Sequence, residues 1–268
     1  MLLAEPAPAK LNLALHVRGK LHDGRHRIET IFAFCTDGDR VEGEDADELT
    51  LELAGPFAVD LPVGSGNLVL EAARALRERT GIPGGARLRL TKNLPVASGI
   101  GGGSADAAAT LRLLTSLWQI DPNHASTVAP RLGSDVPACL LSLPARGAGA
   151  GDELSPIELP DLRGKPILLI NPRVEVSTAA VFGAWDGNGL GPLGDWREGR
   201  NDLEAPAKSL VPQIETVLAW LSIQPGKEFA RMSGSGATCF ALFDSEEARD
   251  LAADNVPREW WRLATFLR

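Results

Sequence analysis

Apolar residues alternate with polar ones in several short segments of the chain, which is the pattern of half-buried β-strands. In residues 9–17 every second side chain is apolar, and Lys10 and Asn12 fall side by side on the opposite face. The dipeptide Asp23-Gly24 then marks a turn. Strands are predicted at residues 9–17, 28–34, 41–44, 49–53, 86–92, 166–171 and 237–243.

Helical spacing and capping residues predict helices between these strands. Residues 67–80 have Asn67 near the N-terminal cap and Gly81 as the stop. Residues 104–118 are rich in Ala and Leu, which favour helix. Further helices are predicted after Asp121-Pro122, from Ser177-Thr178 through Trp185, at 211–221, and after the cap Ser245.

The strands look antiparallel and are mixed with helices, which indicates an α+β fold in two domains. We place the boundary at the glycine-rich residues 146–152, so that the predicted domains are 1–152 and 153–268. Residues 186–199 are also rich in glycine and show no period, so they are predicted to be a loop.

Composition and charge narrow the class of protein. Of the 268 residues, 44% are hydrophobic and 23% charged, as in ordinary globular proteins. No apolar run reaches the roughly 18 residues of a membrane span, and the N-terminus lacks the pattern of a signal peptide. The net charge of −8 argues against nonspecific nucleic-acid binding. Three widely spaced cysteines, Cys35, Cys139 and Cys239, predict a reduced cytoplasmic protein without a zinc site.

The densest glycine stretch predicts an anion site. Glycine fills four of the five positions 99–103, and the predicted helix follows directly. Glycine lets bare backbone approach a ligand, and the N–H groups at a helix N-terminus attract phosphate. The stretch is not a Walker P-loop, because no Lys-Ser or Lys-Thr follows it. It is also a poor dinucleotide fingerprint, because Ser104 holds the third glycine position. A flexible linker remains the alternative for this stretch alone.

Other polar and aromatic positions have a structural interpretation beside a functional one. Asp135, two residues before Pro137, has the position of a helix N-cap. The structural alternatives elsewhere are a solvated lysine (Lys10), a turn histidine (His26), a core aromatic (Phe182) and a plain turn (Gly234-Ser235-Gly236).

The order of these features resembles the GHMP kinases. That family's loop has the form Pro-x-x-x-Gly-Leu-Gly-Gly-Gly-Ser-Ser, which residues 95–105 match with Ile100 for Leu and Ala105 for the second Ser. The resemblance covers nearly the whole chain, and it is strongest to the members that phosphorylate an alcohol linked to cytidine diphosphate. The further motifs that carry it are Pro8-Ala9-Lys10-Leu11-Asn12-Leu13, Asp23-Gly24-Arg25-His26, Leu132-Gly133-Ser134-Asp135-Val136-Pro137 and Ser233-Gly234-Ser235-Gly236.

The resemblance implies a two-lobed GHMP kinase fold, with an N-terminal ATP-loop domain and a C-terminal α/β sandwich (ferredoxin-like) domain. It implies that ATP, with Mg²⁺, phosphorylates the tertiary 2-hydroxyl of 4-diphosphocytidyl-2-C-methyl-D-erythritol in non-mevalonate isoprenoid biosynthesis. We therefore expect a small-molecule partner carrying a cytidine diphosphate group, no nucleic acid or membrane partner, and a monomer or weak homodimer. A GHMP kinase for another small alcohol, homoserine- or mevalonate-like, and a non-catalytic ligand sensor with the same fold remain alternatives.

The resemblance also implies roles for single residues. The family's catalytic lysine and aspartate fall on Lys10 and Asp135, and no residue is assigned as a metal ligand. The tyrosine that usually precedes the cytidine-binding histidine is Arg25 here, and we expect its planar guanidinium to stack on the base. The residues expected at the cytidine substrate are Asn12, Arg25, His26, Thr178 and Phe182. Those expected at ATP are Asn67, Lys92, Pro95, Val96, Ala97, Ser98, Gly99, Ile100, Gly101, Gly102, Gly103, Ser104 and Ala105.

Overall fold

Strands and helices are mixed along the chain, which the computed structural model describes at residues 1–62, 64 and 66–268. The strands are β1 (Leu3–Lys20), β2 (His26–Ala46), β3 (Leu49–Ala54), β4 (Gly85–Thr91), β5 (Ala145–Ala148), β6 (Glu153–Pro156), β7 (Pro166–Asn171), β8 (Lys227–Met232), β9 (Cys239–Phe243) and β10 (Trp261–Phe266). The α-helices are α1 (Leu68–Thr80), α2 (Gly102–Leu117), α3 (Asn123–Leu132), α4 (Val136–Leu141), α5 (Thr178–Gly183), α6 (Glu204–Leu210), α7 (Gln213–Ser222) and α8 (Glu246–Asp254). Short 3₁₀ segments cover Ala58–Asp60 and Pro160–Leu162.

The residues form two compact units that interleave along the sequence. Unit 1 consists of Met1–Ala9, Asp37–Val96 and Gly101–Ser142, and unit 2 consists of Lys10–Thr36, Ala97–Ile100 and Leu143–Arg268. Both β1 and β2 therefore contribute residues to each unit. The predicted domains 1–152 and 153–268 divide the sequence only once, and they stay a prediction.

Unit 1 combines paired strands with a group of helices. β4 pairs antiparallel with the second half of β2, where Arg40 lies opposite Thr91, and parallel with β3, where Leu49 lies opposite Ala86. α2 packs against α1, α3 and α4. Small and aliphatic side chains let these neighbours approach α2 closely. Those that α2 buries are Ala105, Ala107, Ala108, Ala109, Leu111, Leu113 and Leu114.

Unit 2 contains an antiparallel sheet with the strand order β10-β7-β9-β8. The chain order β7, α7, β8, β9, α8, β10 makes this a split βαβ arrangement of the ferredoxin-like type. β7 is buried from Ile167 onwards, as its continuous apolar pattern predicts. Ile214 and Val217 of α7 and Ala252 of α8 belong to the same apolar cluster as Leu168 of β7.

One long strand replaces two that the sequence predicts. Residues 28–34 and 41–44 both lie in β2, which continues through the polar residues between them. Gly38 allows this continuation, because a Cβ there would lie 2.1 Å from the carbonyl oxygen of Ala7. Asp39 is buried and has partners elsewhere in unit 1. The alternation of apolar and polar residues in β2 is interrupted between residues 34 and 41, where Asp39 has partners that are distant in sequence.

The remaining elements agree with the predictions to differing degrees. The turn at Asp23-Gly24, the helix after Pro122 and the loop at 186–199 are confirmed. The strands β5, β6, β8 and β10 and the helix α6 were not predicted. Within the described residues, no helix has both the length and the apolar character needed to span a membrane.

Candidate active site

The glycine stretch forms the N-terminus of α2, two residues earlier than predicted. Gly101 takes the N-cap position with a left-handed backbone (φ 65°), and no side chain in the described part of the chain caps this end. Gly99 (φ 76°) and Ala97 (φ 50°) are also left-handed. The first N–H groups of an α-helix lack acceptors within the helix, so this end is suited to bind an anion.

Residues 98–100 of the same stretch lie in unit 2, where they meet the turn Ser233-Gly234-Ser235-Gly236. The N–H of Thr238 donates to the carbonyl oxygen of Ser98 (3.1 Å), and the Ser233 hydroxyl donates to that of Gly99 (3.2 Å). A Cβ on Gly99 would lie only 2.4 Å from the carbonyl oxygen of Gly236. The turn at 233–236 is therefore more than a plain turn, because its hydrogen bonds and close packing hold the glycine stretch in place.

Lys10 and Asn12 are buried on β1, with 3% and 2% of their surface exposed. The ammonium of Lys10 donates to Oδ1 of Asn12 (3.0 Å) and lies 5.5 Å from the ring centroid of Phe32. The backbone N–H of Lys10 donates to the carbonyl oxygen of Ile100 (2.9 Å). The interpretation of Lys10 as a solvated lysine is thus wrong, and its backbone is bonded to the glycine stretch.

The amide of Asn12 is oriented by its neighbours. Thr30 uses its hydroxyl proton to donate to the carbonyl oxygen of Ala14 (2.7 Å), so its oxygen accepts from Nδ2 of Asn12 (2.8 Å). Oδ1 of Asn12 therefore faces Lys10. The N–H of Asn12 also donates to Oγ of Ser233 (3.1 Å). This network fixes where the ammonium of Lys10 lies.

Asp135 occupies the N-cap position of α4, but its side chain makes no capping hydrogen bond within the described residues. The residue is half-buried and follows directly on Gly133-Ser134. Asp135 belongs to unit 1 and Lys10 to unit 2. Their shared catalytic role stays a prediction.

Three charged side chains in unit 1 form what we call the charge cluster: Asp39, Lys92 and Asp106. Nζ of Lys92 lies 2.5 Å from Oδ2 of Asp39 and 2.6 Å from Oδ2 of Asp106, and the three side chains are 0–3% exposed. Burial raises the pKa of Asp106 to about 8; Asp39 adds to the shift and Lys92 opposes it. Burial alone lowers the pKa of Lys92, but the two carboxylates raise it by more. The lysine is therefore charged.

The side chains of both residues predicted near adenine are engaged in unit 1. Asn67 caps α1, since its Oδ1 accepts from the N–H of Val69 (3.0 Å) and its Nδ2 donates to the carbonyl oxygen of Pro62 (3.0 Å). Lys92 is held in the charge cluster. Contacts of Asn67 and Lys92 with adenine stay predictions.

Three rings in unit 2 form what we call the aromatic cluster: His26, Phe182 and Trp185. His26 stacks on Phe182 with ring centroids 4.7 Å apart, and Trp185 meets His26 edge-on at 5.8 Å. Burial, helped by the charge of Lys20, lowers the pKa of His26, so the ring is neutral at pH 7. Trp185 is not among the site residues predicted from the sequence. Its spacing of three residues from Phe182 on a predicted helix was the signal that could have found it.

Arg25 and Thr178 lie beside this cluster in sequence. The guanidinium of Arg25 pairs with Asp23 (2.7 Å) and Asp152 (3.2 Å), and its side chain is 53% exposed. The hydroxyls of Thr178 and Ser235 are hydrogen bonded (2.9 Å). The stacking of Arg25 on a base stays a prediction.

Family models match both halves of the chain. The model described as GHMP kinases N terminal domain matches residues 67–142, and the model described as GHMP kinases C terminal matches residues 188–263. The first range contains Asp135 and the whole glycine stretch, and the second contains the turn at 233–236. Both matches thus fall on the motifs that suggested this class.

Individual relatives narrow the family further. A 4-diphosphocytidyl-2-C-methyl-D-erythritol kinase of Rhizorhabdus wittichii is 52% identical, over 98% of this chain and 94% of the relative. The protein of that name from Novosphingobium aromaticivorans is 48% identical, over 100% and 94%. A crystal structure of 4-(cytidine 5'-diphospho)-2C-methyl-D-erythritol kinase superposes with a TM-score of 0.84 at 32% identity, over 99% of each chain. The chain therefore belongs to the GHMP kinases and, among them, to the 4-diphosphocytidyl-2-C-methyl-D-erythritol kinases.

These findings confirm the predicted family and the predicted fold, including the ferredoxin-like C-terminal part. The individual site residues stay predictions. Their local settings are those described above.

Proposed function

We propose that the chain transfers the γ-phosphoryl group of ATP to the 2-hydroxyl of 4-diphosphocytidyl-2-C-methyl-D-erythritol, in the non-mevalonate route to isoprenoid precursors. Relatives of that name, 52% and 48% identical over nearly the full length, support this reaction. The structural observation that carries it is the buried ammonium of Lys10, whose own backbone is bonded to the glycine stretch. Phosphoryl transfer depends mainly on positioning and on stabilising charge, which this arrangement supplies.

The phosphates of ATP are assigned to the glycine stretch, residues 95–105. The uncapped N-terminus of α2 offers N–H donors and the positive end of the helix dipole. Among the described residues, no group of three His, Cys, Asp or Glu side chains is placed to hold a metal. We therefore propose that Mg²⁺ enters with the nucleotide, bound largely by phosphate oxygens, whose charge it neutralises.

Asp135 is proposed to accept the proton of the attacking hydroxyl. A tertiary alcohol is a weak nucleophile, so a carboxylate near its proton assists the attack. Lys10 is proposed to stabilise the negative charge that develops on the reacting oxygens. Asn12 holds the ammonium in a fixed direction for this purpose.

The cytidine group is assigned to the aromatic cluster. Phe182 offers a ring face for the base, and neutral His26 can both donate and accept hydrogen bonds with it. Stacking of a base on an aromatic side chain contributes about 1–3 kcal/mol in proteins that bind nucleic acids. Arg25, Thr178 and Asn12 complete the proposed substrate contacts.

The proposed setting is the cytoplasm, with the chain acting as a monomer or weak homodimer. Its three cysteines are buried as thiols, which is typical of a reducing compartment.

The test is an assay of ADP release with a panel of alcohols, with ³¹P NMR to identify the product. We expect turnover with 4-diphosphocytidyl-2-C-methyl-D-erythritol and a new phosphomonoester signal, and none with homoserine or mevalonate. Turnover with one of the other alcohols instead would overturn the proposed substrate. ATP binding without turnover of any alcohol would favour a ligand sensor.

A further inference from the structure

The charge cluster takes no part in the proposed chemistry. Most of the hydrogen bonds of the cluster are made by Asp39. Oδ1 of Asp39 accepts from the N–H groups of Asn93 (2.5 Å) and Leu94 (2.8 Å), and Oδ2 accepts from Lys92 (2.5 Å). Asp39 thereby fixes the backbone at the point where the glycine stretch begins.

Asp106 has a different environment. Its Oδ2 accepts from Lys92 (2.6 Å), but its buried Oδ1 has no hydrogen-bond partner among the described residues. Ionising a buried oxygen that has no hydrogen-bond donor is costly. Two carboxylates that share one ammonium also oppose each other's ionisation. The raised pKa of Asp106, about 8, agrees with this geometry.

The charged groups that face Asp106 are Lys92, directly after β4, and Asp39 of β2. The helices α1, α3 and α4 also pack against α2. In the described part of the chain their buried residues are aliphatic or cysteine, for example Val69 of α1, Val128 of α3 and Val136 of α4. The protonation state of Asp106 is therefore decided within the charge cluster.

The charge cluster lies beside the first residue of α2. A Cβ on Gly102 would lie 3.0 Å from Nζ of Lys92 and 3.7 Å from Oδ2 of Asp39. A net negative charge here would repel a nucleoside triphosphate, because buried charges are poorly screened. With Asp39 and Asp106 both ionised, the charge cluster would carry one such net charge.

We infer that Asp106 is a positioning residue that keeps its proton at neutral pH, so that the charge cluster supports the phosphate-binding end of α2 without net charge. Lys92 then binds Asp39 as an ion pair and Asp106 as a neutral acid. The three side chains join β2, the end of β4 and the first turn of α2. The inference rests on the proposed function in one respect, since it takes this end of α2 as the place of the ATP phosphates.

The test compares Asp106→Asn with Asp39→Asn, the same change on either side of one ammonium. An amide at 106 can turn its oxygen to Lys92 and its NH₂ to the place of the unpartnered Oδ1, as a protonated acid would. An amide at 39 must turn its NH₂ either to Lys92 or to the N–H groups of Asn93 and Leu94. We expect Asp106→Asn to keep ATP affinity at pH 7 within about twofold, and Asp39→Asn to lose about tenfold or more.

The pH profile separates support of the phosphates from a merely structural role. Between pH 7 and pH 9, ATP affinity of the unmodified protein should fall more than that of Asp106→Asn, because only the former gains a buried charge. ATP binding to the unmodified protein and to Asp106→Asn is measured by calorimetry at the same pH. The change in protonation of ATP itself is then equal in the two measurements and does not affect the comparison. Equal losses in Asp106→Asn and Asp39→Asn at pH 7, or parallel pH profiles, would overturn the inference.

Difference infrared spectroscopy observes the proton without any nucleotide. The unmodified protein at pH 6.5 should show the carbonyl band of a protonated carboxylic acid that is absent from Asp106→Asn and is lost at pH 10. Its absence at pH 6.5 would show that Asp106 is ionised, even where Asp39→Asn does not fold. If the unmodified protein bound no ATP, the proposed function would fail, whereas the infrared band would still decide the state of Asp106.

Discussion

The charge cluster of unit 1 and the aromatic cluster of unit 2 differ in burial and in the kind of contact they make. In the charge cluster the side chains are 0–3% exposed and bind one another and backbone N–H groups. In the aromatic cluster the rings are half-buried, and the neighbouring Arg25 is 53% exposed. Phosphate is proposed to bind to backbone N–H groups that the buried charge cluster supports. The base is proposed to bind to side chains that are partly exposed. An exposed side chain is easier to replace than a buried one. This agrees with Arg25 standing at the position of the usual tyrosine, in a chain that contains no tyrosine.

The largest expected effect concerns a residue outside both clusters. Asp135→Asn keeps the shape of the side chain and removes its basicity. We expect kcat to fall by roughly 10²–10⁴ while ATP affinity is unchanged, because a general base acts only on the chemical step. Steady-state kinetics and calorimetry measure the two quantities. Asp121→Asn, an exposed carboxylate of unit 1, is the control, and near-normal turnover of Asp135→Asn would remove Asp135 from the mechanism.

A change at Gly102 tests whether the support of the phosphates is rigid. A Cβ there would lie 3.0 Å from Nζ of Lys92, which two carboxylates hold in place. Overpacking typically costs about 1–3 kcal/mol, so Gly102→Val should weaken ATP binding by roughly 5- to 150-fold. Gly194→Val is the matched control, since no atom of the described residues lies within 4 Å of a Cβ there. Unchanged ATP affinity in Gly102→Val would contradict a backbone site at this end of α2.

Loss of the ring at 182 tests the aromatic cluster. Phe182→Ala removes the ring on which His26 stacks. We expect KM for the cytidine substrate to rise by roughly 5- to 100-fold, the range of base stacking on a side chain, with little change for ATP. Trp260→Ala, which removes a partly buried ring elsewhere in unit 2, controls for loss of packing. A rise in KM no larger than in this control would remove Phe182 from the base site.

Arg25 should have a smaller effect than Phe182, because its exposed guanidinium is shared with Asp23 and Asp152. With the guanidinium stacked on the base as predicted, Arg25→Ala should raise KM for the cytidine substrate by about fivefold, the low end of the range for base stacking. Arg87→Ala, another exposed arginine with one ion pair, is the control. A rise no larger than in this control, or one that Lys at 25 restores as well as Tyr does, would contradict the stacking of Arg25 on the base.

The protonation of Asp106 also predicts how stability depends on pH. A carboxyl whose pKa is raised on folding contributes stability that is complete below its unfolded pKa and is lost as pH rises through the folded value. For Asp106 this window runs from the ordinary 3.8 to about 8. Urea unfolding should therefore show Asp106→Asn gaining stability relative to the unmodified protein as pH rises through this window. A constant difference across it would mean that Asp106 is ionised throughout.

Local sequence patterns predicted much of the fold because strands, caps and turns are local properties. The glycine stretch at the start of α2 and the turn at Asp23-Gly24 are examples. The charge cluster could not be predicted in this way, since Asp39 and Lys92 lie 53 residues apart. For the same reason β2 was predicted as two strands, because the polar residues around Asp39 interrupt its apolar pattern.

The candidate site was predicted as a set of residue types rather than as a geometry. Period two placed Lys10 and Asn12 on a polar face, but β1 is buried on both faces along this part. Burial of that face depends on partners such as Thr30 and Ser233, which follow 18 and 221 residues after Asn12. The resemblance to the GHMP kinases supplied the roles that no local pattern contained.

The phosphates of ATP are assigned to the N-terminus of α2 beside the charge cluster, and the cytidine base to the aromatic cluster. Titrating two ligands into two variants tests this assignment most directly. ATP and cytidine diphosphate are each titrated calorimetrically into the unmodified protein, Gly102→Val and Phe182→Ala. Gly102→Val should lose affinity for ATP and keep that for cytidine diphosphate, while Phe182→Ala should do the reverse. If either variant lost both affinities equally while remaining folded, or lost the other ligand instead, the assignment of phosphate to the first region and base to the second would be contradicted.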